Sequence, residues 1–293
     1  MFRIISFYKY TPIDEPAAFC ESHLQYCLEH GLKGKVYVAS EGINGTITAE
    51  DEKVQEYKSY LTSLPGFDGI VFKEDTWHKL PYDKMFVRLK KELVNLGVPG
   101  IDPAEGGKRL SPEGLKQFYD EKKDFIIIDT RNGYESELGH FKGAVTPNIV
   151  HFRDFPAYID SLEEYKNKTV ITYCTGGIRC EKASALLIKM GFRDVYQLDG
   201  GIISYIQKYP DTYWEGGMFV FDNRKVVNTN TKEELKYTAR CHHCGAPTDY
   251  FINCHNLSCD KIINICHNCK VAYNYSCSEE CANAPERRTK IYE

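Results

Sequence analysis

The chain has 293 residues, of which 42% are hydrophobic, and this length suits about two domains, or three if one of them is small. Its formal charge of −4 and isoelectric point near 6.2 exclude a global basic field, so any nucleic-acid contact needs a local patch. The N-terminus is too polar for a signal peptide and no run reaches the length of a membrane span. We therefore expect a cytoplasmic protein with no membrane partner.

The N-terminal third alternates strand-like and helix-like patterns in the order βαββαβ, which is typical of a ferredoxin-like (acylphosphatase-like) sheet with helices on one face. The predicted elements are strand 3–10, helix 15–30, strand 34–39, strand 46–48, helix 50–64 and strand 86–90. Within the hairpin segment 40–46, Asn44 and Gly45 are the expected site of positive φ. This pattern predicts a first domain over residues 1–95.

A short basic run lies at the end of this domain and comprises Lys84, Arg88, Lys90 and Lys91. Two interpretations are open: a solvated face, or a contact with phosphate groups. The free side of a ferredoxin-like sheet is a common docking surface for a partner.

Residues 97–107 are dense in glycine and proline, which predicts a linker over residues 96–110. Ser111 then has the features of a helix cap, with Pro112 at the first helical position. Beyond it, apolar strands alternate with helices, and this predicts a parallel sheet with its ligand site at the carboxyl ends of the strands. We place this domain at 111–215 and a cysteine-rich C-terminal region at 216–293.

Cys174 lies at such a strand end, between the apolar strand 168–173 and a helix predicted over residues 183–190. A tight loop before a helix directs backbone N–H groups and the positive end of the helix dipole toward its centre, and both favour a thiolate. We therefore predict a nucleophile of low pKa rather than the alternative, a buried structural thiol. Cys180 is either a thiol packed in the helix or a resolving partner for Cys174.

Four short motifs resemble the rhodanese family: Asp129-Thr130-Arg131, the segment 139–144, the loop from Cys174 to Arg179, and Asp199-Gly200-Gly201. The loop has the six-residue length of the sulfurtransferases rather than the longer loop of the related phosphatases. The resemblance implies that Cys174 carries a sulfane sulfur as a persulfide. The loop residues that would hold this anion are Thr175, Gly176, Gly177, Ile178 and Arg179.

Within that resemblance, Asp129, Arg131 and His140 have the character of scaffold residues that tie the loops together. Arg179 differs because it lies within the loop itself. A guanidinium fixed there could stabilise an anionic sulfur or a phosphate group.

The C-terminal region contains eight of the twelve cysteines of the chain. In a reducing compartment such a cluster indicates metal binding, and eight thiols suffice for two tetrahedral zinc sites of four cysteines each. The predicted ligands are Cys241, Cys244, Cys254, Cys259, Cys266, Cys269, Cys277 and Cys281. The spacing leaves open which cysteines share an ion. One possibility is that Cys241, Cys244, Cys266 and Cys269 bind one ion and the other four bind the second. Free thiols or disulfides formed on isolation are the alternative, and the nearby histidines are expected to be spare.

The ferredoxin-like domain with its segment 40–46, the Cys174 loop and the cysteine-rich tail together resemble the rhodanese-type tRNA uridine hydroxylases. This resemblance covers essentially the whole chain. It implies an enzyme that uses dioxygen to place a hydroxyl on carbon 5 of the wobble uridine, in the anticodon loop of tRNA, and that requires Cys174. No fingerprint for an organic cofactor, non-haem iron or haem is present, and the sequence indicates neither a reductant nor a sulfur donor.

Two other functions stay open. The first is a plain rhodanese sulfurtransferase, in which a Cys174 persulfide passes sulfur to a thiol acceptor. The second is a non-catalytic RNA or protein adaptor, which the intact nucleophile disfavours. The two additional domains favour a large substrate, because a small-molecule reaction does not need a grip far from the reacting atom.

Overall fold

The structure, a computed structural model, describes residues 1–229 and 237–289. In the first domain the elements are β1 (Phe2–Tyr10), α1 (Pro16–Glu29), β2 (Lys33–Ala39), β3 (Gly42–Ala49), α2 (Asp51–Ser63), β4 (Val71–Trp77) and β5 (Met85–Leu89). The five strands form one sheet in the order β4-β1-β3-β2-β5, antiparallel except for the β2–β5 pair. The ferredoxin-like prediction is confirmed.

Two details of the N-terminal prediction are wrong. The strand that completes the βαββαβ order is β4, whereas β5 is a fifth strand added beside β2. The pattern missed β4 because an edge strand carries charged residues, which disguise its alternation. The hairpin turn is Ser40-Glu41, and Gly42 has the positive φ of 142°. Asn44 and Gly45 instead lie inside β3.

Helices α1 and α2 cover one face of this sheet, where alternate strand residues such as Ile5, Val36 and Ile47 form a closed core. The residues between them, which include Tyr8, Tyr10 and Tyr37, face the opposite side and pack against Ile178 of the central domain. Part of the face that the sequence marked as a docking surface is therefore occupied by another part of the same chain.

The central domain contains β6 (Lys108–Leu110), α3 (Pro112–Asp120), β7 (Ile126–Asp129), α4 (Gly133–Leu138), β8 (Gly139–Phe141), α5 (Phe155–Tyr158), β9 (Thr169–Tyr173), α6 (Ile178–Lys189), β10 (Asp194–Leu198) and α7 (Gly201–Lys208). Its main sheet is parallel, in the order β6-β10-β9-β7, as predicted. The Ser111 hydroxyl accepts a hydrogen bond from the Gly114 N–H at 3.1 Å, which confirms the predicted cap. Strand β6 lies inside the predicted linker, because its residues pair with β10.

The remaining elements are short: β11 (Trp214–Gly216), β12 (Met218–Phe219), β13 (Val226–Val227), β14 (Phe251–Asn253), β15 (Ile262–Asn264), α8 (His267–Ala272) and α9 (Glu279–Ala282). The core of this region is small and includes Ile252, Ile263 and Ile265 beside Cys241. So small an apolar cluster cannot hold a domain together without a further constraint. Within the described ranges, no helix is both long and apolar enough to span a membrane.

Candidate active site and metal centres

Cys174 follows the last residue of β9, and its side chain turns back into the loop that it begins. The Gly177 N–H donates to the Cys174 sulfur at 3.1 Å, with Gly177 in the left-handed region at φ 100°. Gly201 supports the loop from behind, since a Cβ atom there would lie 2.4 Å from the Cys174 carbonyl oxygen. Helix α6 begins at Ile178, five residues before the predicted start, because Gly177 caps it. Arg179 and Cys180 therefore occupy the first turn of this helix.

The environment of Cys174 stabilises its anionic form. Burial by itself raises the pKa of the Cys174 thiol. A hydrogen bond from Cys180, the charge of Arg179 and the N–H groups of Arg179 and Gly177 outweigh burial and lower this pKa to about 6. Burial and the neighbouring Cys174 charge raise the pKa of Cys180 well above its usual value. At neutral pH the loop holds one thiolate and one neutral thiol.

Arg179 is fixed by a residue that the sequence analysis did not single out. Its guanidinium donates to Glu135 at 2.9 Å, and the Glu135 side chain is fully buried. Glu135 also accepts from the Asn132 N–H at 3.3 Å, as the third residue of a capping box at the start of α4. The spacing Asn132-x-x-Glu135 is a readable signal for that cap, but not for the pairing with Arg179.

Asp129 and Arg131 form a fully buried ion pair at 2.6 Å. The Arg131 guanidinium also donates to the Gly139 carbonyl oxygen at 2.6 Å, and the Ser136 hydroxyl donates to Asp129 at 2.9 Å. His140 lies 2.9 Å from the Ser136 carbonyl oxygen through Nδ1. These contacts join β7, α4 and β8. Asp129, Arg131 and His140 therefore make structural contacts, as the resemblance implies.

A cavity of about 530 Å³ lies between the Cys174 loop and the outer face of the N-terminal sheet. Cys174, Thr175, Gly176, Ile178 and Arg179 form its floor. Its other walls include Tyr8, Lys35, Tyr37, Asn44, Thr46 and Lys73 from the first domain, Asn132 and Tyr134 beside α4, and Phe221. The buried Thr175 hydroxyl oxygen has no hydrogen-bond partner among the described residues. This cavity combines residues that lie far apart in sequence.

Polar contacts hold the two walls of the cavity together. The Lys182 ammonium lies 2.9 Å from both Glu41 and Glu92, and its side chain is only 4% exposed. The Tyr8 hydroxyl donates to Glu181 at 2.8 Å. The position of the N-terminal sheet over Cys174 is therefore fixed by buried charge pairing.

The structure gathers the eight C-terminal cysteines into two groups of four. One group is Cys241, Cys244, Cys266 and Cys269, and the other is Cys254, Cys259, Cys277 and Cys281. In each group all four sulfur atoms lie within 4.8 Å of one another, and either group could hold a metal ion. This is the interleaved arrangement that the sequence left as one possibility. Both groups consist of cysteines alone.

The C-terminal region also touches the cavity wall. The Phe251 ring lies 5.0 Å from that of Phe219 and 6.3 Å from that of Tyr134, which lines the cavity. These contacts link the hairpin between the two cysteine groups to the site of Cys174.

Family models match three successive parts of the chain: a UPF0176 acylphosphatase like domain at residues 2–93, a Rhodanese-like domain at 111–208 and a Rhodanase C-terminal model at 215–282. The tRNA uridine(34) hydroxylase of Cytophaga hutchinsonii is 40% identical over 288 residues, which cover 98% of this chain and 92% of that protein. That of Onion yellows phytoplasma is 42% identical, with 98% and 94% covered. The chain belongs to the tRNA uridine(34) hydroxylase family. The predicted family is thus confirmed, and tRNA uridine(34) hydroxylases are enzymes.

Alkylation tests the state of Cys174 directly. Because its pKa is lowered to about 6, its reaction with iodoacetamide should increase with pH through a midpoint near 6. Mass spectrometry of the Cys174 peptide gives the rate, and Cys174→Ser should remove the signal. Burial raises the pKa of Cys27 to about 12, so its peptide serves as an unreactive internal control. A midpoint at the ordinary value of about 8.5 would contradict the lowered pKa.

Proposed function

We propose that this chain is an oxygen-dependent monooxygenase of the cytoplasm that hydroxylates carbon 5 of uridine 34 in tRNA, with Cys174 as its essential residue. The observation that carries the proposal is the position of Cys174, a stabilised thiolate on the floor of a cavity whose roof is the N-terminal sheet. The relatives matched over nearly the whole chain are tRNA uridine(34) hydroxylases, which supports uridine 34 of tRNA as the substrate and hydroxylation as the reaction.

The cavity suits a single nucleobase from a single-stranded loop. Its volume of about 530 Å³ lies within the usual range of ligand pockets, roughly 300–1,000 Å³. The rings of Tyr8, Tyr37 and Tyr134 offer stacking surfaces, and the amides of Asn44 and Asn132 offer hydrogen bonds to a base edge. A base of the anticodon loop can enter such a site without the opening of a duplex.

The stoichiometry of the reaction defines one further requirement. Insertion of one oxygen atom into the C5–H bond leaves the second atom of dioxygen, which two electrons and two protons reduce to water. We propose a thiol reductant as the source of these electrons, supplied as dithiothreitol in the assay. No organic cofactor enters the proposal.

A basic strip on the N-terminal sheet offers a path for the RNA backbone. We define it as Lys35, Tyr37, Phe86, Arg88 and Lys90, which share the sheet face opposite the helices. The Lys35 and Lys90 ammonium groups lie 5.2 and 5.1 Å from the centre of the Tyr37 ring, and the Arg88 guanidinium lies 5.4 Å from that of Phe86. None of its three cations has an ion pair within the described residues, although the chain is acidic. Unpaired cations between aromatic rings favour the phosphate-contact interpretation.

We propose zinc as the metal of both cysteine groups. The Cys244–Cys266, Cys259–Cys277 and Cys277–Cys281 sulfur separations are 3.7, 3.7 and 3.6 Å. A tetrahedral zinc ion with Zn–S bonds of about 2.3 Å places its sulfur ligands about 3.8 Å apart, so the spacing fits. Four thiolates with no open position make a structural site, whose contribution is to fold the tail.

The hydroxylation itself has a decisive assay. Unmodified tRNA incubated with the protein, dithiothreitol and ¹⁸O-labelled dioxygen should gain one labelled oxygen at uridine 34, detected by nucleoside mass spectrometry. Without dioxygen, or with Cys174→Ser, which exchanges only one sulfur for oxygen, no product should form. Sulfur incorporation, or release of a sulfur product from thiosulfate with unchanged tRNA, would instead establish the sulfurtransferase alternative.

The basic strip predicts a salt-dependent KM. A Lys35→Ala, Arg88→Ala, Lys90→Ala triple variant should raise the KM for tRNA and leave kcat unchanged, because phosphate contacts act on binding. The slope of log KM against log salt should fall by about 2, at roughly 0.7 for each phosphate contact on a single strand. Lys53→Ala, an exposed lysine on α2 at the helical face, is the control and should keep the wild-type slope. An unchanged slope in the triple variant would rule out this path.

Metal analysis tests the tail. Protein purified without oxygen should contain about two zinc ions per chain, because each four-cysteine group binds one. Cys244→Ser should reduce the content to about one, whereas Cys20→Ser, in helix α1, should leave it unchanged. Chelation should unfold the tail and spare the central domain. Metal-free protein with a folded tail would contradict the proposed zinc sites.

A further inference from the structure

Lys73 is a lysine of the N-terminal sheet that is buried without a polar partner. It lies in β4 opposite Ser6, and only 9% of the residue is exposed. No ion pair or hydrogen bond of its ammonium group exists within the described residues, and this group lies 5.1 Å from the centre of the Tyr8 ring. A buried ammonium group without a partner is costly, and strand formation does not require one here.

The side chain of Lys73 reaches across the interface between the two domains. Its Cε atom lies 3.3 Å from the position of a Cβ atom built on Gly200. A Cβ atom built on Gly177, whose N–H donates to the Cys174 sulfur, would lie 3.7 Å from the Gly200 nitrogen. Lys73 also lines the cavity with Cys174 on its floor. The Lys73 side chain therefore lies beside Gly200, which in turn lies beside the loop of Cys174.

The other charged groups around Lys73 are already engaged. Arg109 contacts Glu181 at 2.6 Å and Asp199 at 3.1 Å. Glu181 also accepts from the Tyr8 hydroxyl at 2.8 Å and from the Gln197 amide at 3.0 Å. Burial lowers the pKa of Lys73, and the charge of Cys174 is the largest influence that raises it. Of the three anions near Lys73, Glu181 and Asp199 share Arg109, whereas the Cys174 sulfur has Arg179 beside it, which is itself paired with Glu135.

Arg179, the other cation at Cys174, is already engaged in an ion pair, which the sequence did not indicate. Its guanidinium is bound to the fully buried carboxylate of Glu135, which offsets part of the charge that Arg179 presents to Cys174. Lys73 has no such counter-ion. It is thus an uncompensated positive charge beside the Cys174 loop within the described residues.

We propose that Lys73 is a positioning residue which the N-terminal domain contributes to the site and which stabilises the anionic sulfur of Cys174. The inference rests on the proposed role of Cys174 as the reactive group. It makes the site a composite of two domains: the central domain supplies the loop, and β4 supplies its unpaired charge. Undocking the N-terminal sheet would then weaken the thiolate as well as open the cavity.

The experiment measures the pH dependence of Cys174 alkylation by iodoacetamide in full-length variants. Lys73→Met keeps the length and the apolar stem but removes the charge, so the midpoint should rise by about one pH unit. Lys73→Arg restores a cation and should return the midpoint toward the wild-type value. Lys35→Met removes the same charge from the same cavity at the Tyr37 ring, and as the matched control it should leave the midpoint unchanged.

Thermal unfolding shows whether each variant is folded. If Lys73→Met does not fold, the alkylation midpoint is measured on Lys73→Gln instead. An unchanged midpoint in folded Lys73→Met, with a raised KM for tRNA, would overturn the proposal and assign Lys73 to an RNA phosphate. Equal alkylation midpoints in Lys73→Met and Lys35→Met would also overturn the proposal. Because alkylation needs no tRNA, a shifted midpoint beside absent hydroxylation would sink the proposed function and leave this inference standing.

Discussion

The architecture depends on the docking of one sheet face onto the Cys174 loop. Lys182 secures this contact from within the first helix after the loop, since its ammonium group is shared by Glu41 and Glu92 of the N-terminal segment. Loss of both carboxylates would leave a buried charge unpaired, which is strongly destabilising. The cavity exists only in the docked arrangement, because its roof and its floor belong to different domains. The same contact therefore determines stability and the chemistry that the site can perform.

Within the docked site, burial and charge act against each other. Burial disfavours a thiolate, and the Cys180 hydrogen bond, the charge of Arg179 and the loop N–H groups together make it the stable form of Cys174 at neutral pH. The Glu135–Arg179 pair holds a guanidinium beside the sulfur, whereas Lys73 approaches from the other domain without an ion pair among the described residues. This division leaves the central loop incomplete without the N-terminal sheet, which accords with a substrate gripped by several domains.

The cysteine-rich tail packs against the wall of the cavity. Its small apolar cluster cannot support a fold alone, and two groups of four cysteines provide the missing constraint. Through Phe251 the hairpin packs on Phe219 and Tyr134, so metal bound by the cysteine groups would also support one wall of the cavity. A contact of this kind couples the tail to the site without placing any metal near the reacting sulfur.

The sequence alone was enough to locate the Cys174 loop, the Ser111 cap, the parallel sheet and the eight cysteines that could bind metal. Each of these features depends on neighbouring residues or short spacings. The sequence could not reveal β4, whose charged edge hides its alternation, or the turn at Ser40-Glu41. Tertiary structure decided the rest: the grouping of the cysteines, the pairing of Glu135 with Arg179, and the approach of Lys73 to Gly200 beside the Cys174 loop. These contacts join residues tens to about a hundred positions apart, and only tertiary packing, within a domain for the first two and between domains for Lys73, brings such residues together.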